Sequence, residues 1–225
     1  MAARLEDRPG QTIADAVPRV AVLFVSLPNF ADLVQAVGRD HASATLNAII
    51  CAFDARLAHF PRVEKIKSHG STYMVAAGLA DPQGDLAPAV HPAIPLALFA
   101  QSLAAAVESH NLRLRPAVAL QFRAGLAVGP CVAGVIGHSK FCFDIWGDTV
   151  NVASRMESTG TVGHIQVTTQ ARAVLRSAFH LKRRGVVNVK GKGELVTYYL
   201  GGLRLSSSMV CCASPRAAGA FNPCG

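Results

Sequence analysis

Residues 18–27, PRVAVLFVSL, form a run of apolar and β-branched residues in which only Arg19 and Ser26 are polar, and no other stretch limits the fold as tightly. A run this short and this apolar predicts a buried strand. Between 30 and 57 apolar residues recur at helical spacing, as at Leu46, Ile49, Ile50, Phe53 and Leu57, and Pro61 closes the region. Residues 62–68 and 72–77 read as two strands hinged at His69-Gly70. A loop rich in Pro, Gly and Asp follows over 80–95, then an Ala-rich helix over 96–110. A long strand-like region covers 117–136. Helical character returns near 148–158 and 168–177, and strands near 179–189 and 195–200.

That order is β-α-β-β-α-β followed by further helices and strands. It predicts an α+β fold with a ferredoxin-like core. The expected organisation is a flexible leader over 1–17, one domain over 18–201, and a disordered tail rich in Ser, Cys, Ala, Pro and Gly over 202–225.

Composition narrows the function. Of the 225 residues 51% are apolar and only 16% charged, which supplies a core and leaves apolar surface for a partner. The most apolar stretch, 86–107, is interrupted by Pro88, Pro92, Pro95 and His91, so it does not read as a membrane span. The N-terminus has no apolar core of a secretory signal. Six scattered cysteines show no metal-ligand spacing and suit a reducing, intracellular setting. The net charge of +8 comes from dispersed Lys and Arg, with 182–184 the one run, and no nucleic-acid signature accompanies them. An anionic ligand or an acidic partner accounts for the balance as well as nucleic acid does, so charge alone decides nothing.

Familiar nucleotide and hydrolase motifs are absent. Gly191-Lys192-Gly193 lacks the spacing and the Ser or Thr of a P-loop, and there is no HExxH, no GxSxG and no dinucleotide fingerprint after the first strand. Three longer segments are present instead, in this order: VEKIKSHGSTYMVAAGL over 63–79, GPCVAGVIGHSKFCFDIWGDTVNVASRMESTG over 129–160, and VVNVKGKGELVTYYL over 186–200. Together they resemble the class III nucleotide cyclase catalytic domain. Within that family they are most similar to the second cytosolic catalytic domain of animal membrane adenylyl cyclases.

The resemblance implies roles for particular residues. Lys67 and Asp144 match the pair that reads adenine. A carboxylate accepts from the adenine N6 amino group and a lysine donates to N1, a pattern that guanine reverses. Taken singly, the two residues read equally as a structural ion pair. Asn151 and Arg155 sit four apart in DTVNVASR, on one side of a helix. By resemblance Asn151 positions the ribose, and Arg155 steadies the triphosphate as charge develops. Lys190, in NVKGKG, matches a phosphate-contacting lysine on a hairpin, with Lys192 as the alternative.

Departures from the family pattern are as informative. Its metal-binding halves carry two aspartates, at positions matched here by Ser26 and Ser71. Neutral hydroxyls are weak Mg²⁺ ligands. The resemblance therefore implies a half-domain with no metal residues of its own. It would turn ATP into cyclic AMP and pyrophosphate only beside a homologous partner domain that binds Mg²⁺ or Mn²⁺. The alternative is a catalytically silent module that pairs with a cyclase domain. Ala31, Ser68 and His69 also depart from the pattern, around a second pocket that binds forskolin in related enzymes. The helical region after Phe30 is shorter than in the family, which bears on contacts with a stimulatory G-protein α subunit. Nucleic acid is not an expected partner. The implied location is the cytoplasmic face of the plasma membrane if the chain is part of a membrane cyclase, and otherwise the cytoplasm.

Overall fold

The computed structural model describes residues 13–79, 90–114, 116, 118–136 and 142–204. Eight strands form one sheet: β1 (Ile13–Ser26), β2 (Val63–His69), β3 (Thr72–Ala77), β4 (Arg123–Ile136), β5 (Cys142–Trp146), β6 (Ile165–Thr168), β7 (Phe179–Val189) and β8 (Gly193–Leu203). The helices are α1 (Phe30–Val37), α2 (Arg39–Leu57), α3 (Ala93–Leu114), α4 (Asp148–Ser158) and α5 (Thr169–Leu175). The sheet order is β2-β3-β1-β4-β6-β8-β7, and β5 pairs with the far half of β4. Its first four strands are the antiparallel ferredoxin-like core expected from the element order.

The apolar run became a central strand because both of its faces are covered. Ala21, Leu23 and Val25 pack in one cluster with Leu96, Phe99 and Leu103 of α3, Ile49 and Phe53 of α2, and Leu175 of α5. Val20 and Val22 join a smaller cluster with Met74, Ala127, Ile145 and Ala153 of α4 on the opposite face. Each of these larger side chains contributes roughly 1.5–3 kcal/mol by leaving water.

Several boundaries differ from the expectation. β1 begins at Ile13, inside the segment read as a leader, because β4 is long enough to pair Ile13–Val17 with Cys131–Val135. Pro18 falls in the register shift between Val17 and Val20, where it removes no regular ladder bond. The helical region 30–57 divides at Gly38, whose φ of +80° ends α1 and starts α2. β4 begins at Arg123 rather than near 117, since two asparagines hold the preceding backbone. Asn111 bonds both the amide and the carbonyl of Leu120, while Asn29 bonds the Ala119 carbonyl and the Gln121 amide. The expected helix 96–110 is longer at both ends, with Pro95 in its first turn, where proline costs no intrahelical bond. β5 was not read from the sequence. β8 continues to Leu203, two residues into the expected tail. Residues 1–12, 80–89 and 205–225, which carry most of the expected leader, loop and tail, lie outside the described residues.

Two glycines of β4 decide where α4 sits. A Cβ at Gly125 would lie 2.0 Å from the Glu157 amide nitrogen and 2.7 Å from the Ala153 carbonyl oxygen. One at Gly129 would lie 2.6 Å from Thr149 Oγ1. Helix backbone lies against the strand at Gly125, and the Thr149 side chain fills the space beside Gly129, so neither place has room for a side chain.

Candidate functional site

Lys67 lies on β2 just past an irregularity in its pairing with β3, and Asp144 stands opposite Gly134 on the β4–β5 ribbon. Lys67 Nζ donates to Asp144 Oδ2 at 2.5 Å, and Asp144 Oδ1 accepts the Ile145 amide at 2.9 Å. The Lys67 side chain is 48% exposed and that of Asp144 19%. An ion pair this accessible contributes only about 0–1 kcal/mol, so a ligand offering a better pattern displaces it cheaply. The strand alternation puts Val132, Ile136 and Trp146 on the same face as Asp144. Val132 and Ile136 are exposed there, leaving an apolar surface around the carboxylate.

Asn151 and Arg155 project from α4. The helix buries Thr149, Ala153, Met156 and Glu157 against the sheet, and this turns Asn151 and Arg155 to the exposed side. Among the described residues neither side chain has a hydrogen-bond or ion-pair partner. An unpaired guanidinium beside an unpaired amide one turn away is suited to an anionic ligand carrying hydroxyls.

Lys190 is exposed in the turn between β7 and β8, where Gly191 and Gly193 take φ of +79° and +71°. The alternative, Lys192, is ion-paired with Asp148 in the first turn of α4. That contact fixes the hairpin tip near the start of the helix, and leaves Lys190, of the two hairpin lysines, without a partner among the described residues. The structure thus brings Lys67 to Asp144 and the hairpin to α4. No bond links Lys67 or Asp144 to Asn151, Arg155 or Lys190.

Ser26 and Ser71 lie at adjoining strand ends: Ser26 pairs with Thr72, and the Leu27 amide donates to the Ser71 carbonyl at 3.1 Å. Ser26 Oγ donates to Glu157 Oε1 at 2.5 Å, and Arg123 Nε donates to the same oxygen at 2.8 Å. Ser26 and Glu157 are both buried. A divalent cation here would need several anionic oxygens, but the carboxylate present is already neutralised by Arg123 and bonded by Ser26. The residues do not fit a metal ion. Among the described residues no group of three or more His, Cys, Asp or Glu side chains is placed to hold one.

The sequence reading missed Glu157 and Arg123. Glu157 was in view within ASRMESTG, but nothing local says that it reaches across to β1 and β4. Other chemistry is quiet: burial pushes the Cys131 thiol up to about 11, which keeps it protonated and unreactive.

The comparisons bear on the family of the chain. The family model for the adenylate and guanylate cyclase catalytic domain matches residues 13–202. The chain is 39% identical over 222 residues to an adenylate cyclase of Mycobacterium tuberculosis, covering 97% of this chain and 48% of that protein. It thus spans about half the length of that relative. It is 38% identical over 184 residues to adenylate cyclase type 9 of Xenopus laevis, covering 79% of this chain and 14% of the other. Among solved structures, the guanylate cyclase domain of RhGC from Catenaria anguillulae in complex with GTP matches with a TM-score of 0.72 at 28% identity, over 84% of this chain and 100% of that one. No helix among the described residues is long and apolar enough to cross a membrane. With the family model covering most of the chain and the fold in agreement, the chain belongs to the family of adenylate and guanylate cyclase catalytic domains, and the two relatives compared above are adenylate cyclases.

Proposed function

We propose that the chain is the ATP-recognising half of an adenylyl cyclase, forming cyclic AMP and pyrophosphate at an interface with a metal-binding cyclase domain. The observation that carries the reading is the meeting of Lys67 and Asp144 on an open apolar face. In the complex Asp144 accepts the adenine N6 amino group and Lys67 donates to N1. Guanine would leave both groups unpaired, which makes the site selective. Asn151 orients the ribose so that its 3′-hydroxyl lies in line with the α-phosphorus. Arg155 and Lys190 hold the phosphate oxygens as negative charge grows and the pyrophosphate leaves. The divalent ion, Mg²⁺ or Mn²⁺, belongs to carboxylates of the partner, since Ser26 and Ser71 supply none.

The exposed face around Asp144 supports the pairing, because Val132, Ile136 and Trp146 would close the adenine pocket when a second domain covers them. A stimulatory G-protein α subunit as regulator, and a location at the cytoplasmic face of the plasma membrane, rest on the likeness to animal cyclases alone. A second reading, a silent module that pairs without turning over, is favoured by the self-sufficient Ser26–Glu157–Arg123 cluster.

One assay separates the two. The purified chain is mixed with a metal-binding class III domain, ATP and Mg²⁺ or Mn²⁺, and cyclic AMP is measured. Activity in the mixture, absent from each part and lost in Arg155→Ala, supports the half-cyclase. A complex that forms yet stays silent supports the module. Appreciable cyclic AMP from this chain alone sinks both.

A further inference from the structure

Arg184 stands apart from the motifs discussed so far. It is the extra residue where the β7–β8 register shifts between Arg183 and Gly185, and Gly185 takes φ of +135°. A bulge on an edge strand re-aims a side chain, and this one turns the Arg184 guanidinium across the sheet toward α4. There Nη1 donates to the Thr159 carbonyl at 2.6 Å and to Gln166 Oε1, and the group lies 5.7 Å from the Tyr199 ring centre. It has no carboxylate partner among the described residues. A half-buried guanidinium satisfied by neutral oxygens and a ring is an uncommon arrangement, since burying a charge is costly without compensation.

What it grips is the end of the helix that carries Arg155. Thr159 caps α4: its amide and its Oγ1 both donate to the Arg155 carbonyl, at 3.0 and 2.7 Å. Gln166, fully buried on β6, accepts from Arg184 and donates to Thr159 Oγ1 at 3.1 Å. Tyr199 completes the frame, sharing a 2.6 Å hydrogen bond with Thr161 and lying against the His164 ring, centroids 4.5 Å apart and planes tilted by 43°. A continuous chain of bonds therefore runs from Arg184 through Thr159 to the backbone of Arg155. Without it the last turn of α4 is free to fray, as helix ends do.

We infer that Arg184 is a positioning residue that holds the C-terminal turn of α4, and with it the direction of the Arg155 guanidinium. This deepens the half-cyclase reading and rests on it for the catalytic consequence. In the reconstituted mixture, Arg184→Ala lowers kcat about 10- to 100-fold while KM for ATP stays within about twofold, because a misdirected donor fails chiefly as charge develops. Arg184→Lys, which keeps the charge but loses the fork, recovers only part of the loss. Combined with Arg155→Lys, the two losses are less than multiplicative. Fully multiplicative losses would mean that Arg184 does not act through Arg155, and would overturn the inference.

A second measurement needs no turnover. By hydrogen exchange on the isolated chain, the Thr159 and Gly160 amides exchange at least about tenfold faster in Arg184→Ala, while β1 and β4 amides stay protected. Unchanged exchange at Thr159 and Gly160 overturns the inference whatever the assay returns. An inactive wild-type mixture sinks the half-cyclase reading instead, and the exchange data then decide the positioning on their own.

Discussion

At the scale of single residues, function here depends on which polar groups are already satisfied. Lys67 and Asp144 meet at an exposed site, so their bond is exchangeable, whereas Ser26 and Glu157 meet in the core, so theirs is not. Asp144→Asn replaces one of two acceptor oxygens by a donor facing the adenine N6 group. It is expected to cut kcat/KM for ATP in the reconstituted mixture by about 10²-fold, measured as initial rates of cyclic AMP formation, with little change in stability. Ser26→Asp is the converse case. It buries a second carboxylate against Glu157 with one guanidinium to serve both, and is expected to destabilise the chain by about 3 kcal/mol in urea titrations. A stability equal to wild type, with tight Mg²⁺ binding gained, would refute the account of the cluster as unfit for a cation. The chemical types at 67 and 144 were legible in the motifs. The commitment of Ser26 was not, because Glu157, the acceptor of its hydroxyl, is 131 residues away along the chain.

At the scale of elements, α4 is placed by what β4 lacks. Gly125→Ala would drive a methyl into the Glu157 amide, and α4 cannot retreat without tearing Glu157 from Ser26 and Arg123. The expected loss is about 3 kcal/mol or more of stability, with Arg155 displaced and activity gone. The entry to α3 brings a pH dependence. His91 Nδ1 accepts the Ala93 amide at 3.1 Å, which requires that nitrogen to be unprotonated. Burial, reinforced by Arg19, holds the His91 imidazole below its ordinary range, and burial with Arg113 does the same to His110. The unfolded chain therefore takes up these protons first as the pH falls. Stability from both groups is present above the ordinary histidine pKa of about 6.5 and is lost as pH drops toward their lower native values. Urea midpoints at pH 7.5 and 5.5 check this: wild type loses stability on acidification, and His91→Asn, whose side-chain oxygen is an acceptor at both pH values, loses less.

At the scale of the whole molecule, the sheet is covered along its middle and open at one end. The β4–β5 ribbon leaves Val132 and Ile136 exposed around Asp144, an apolar patch on the same face as that carboxylate. If a second cyclase domain covers it, Ile136→Lys weakens association by about 2 kcal/mol, roughly 30-fold in Kd by titration calorimetry, without lowering the Tm of the isolated chain. An unchanged Kd would place the interface elsewhere. Arg184 belongs to this scale too, since it ties the far edge of the sheet to the last turn of α4.

The sequence by itself determined the ferredoxin-like order of elements, because hydrophobic periodicity over 18–27, 30–57 and 63–77 is a local property read residue by residue. It also supplied the polar groups on which the proposed adenine and phosphate contacts rest, through three motifs whose residues lie close together along the chain. Tertiary structure alone decided the rest, for a common reason: each case is a long-range contact with no local signature. The strand span 13–17 exists because β4 is long enough to pair with it. Lys192 rather than Lys190 is tied down because Asp148 comes within reach across the fold. Ser26 is filled from β4 and α4, and the last turn of α4 is held from an edge strand by a bulged arginine. Periodicity describes a segment's faces, but only packing shows which of its polar groups remain free to meet a ligand.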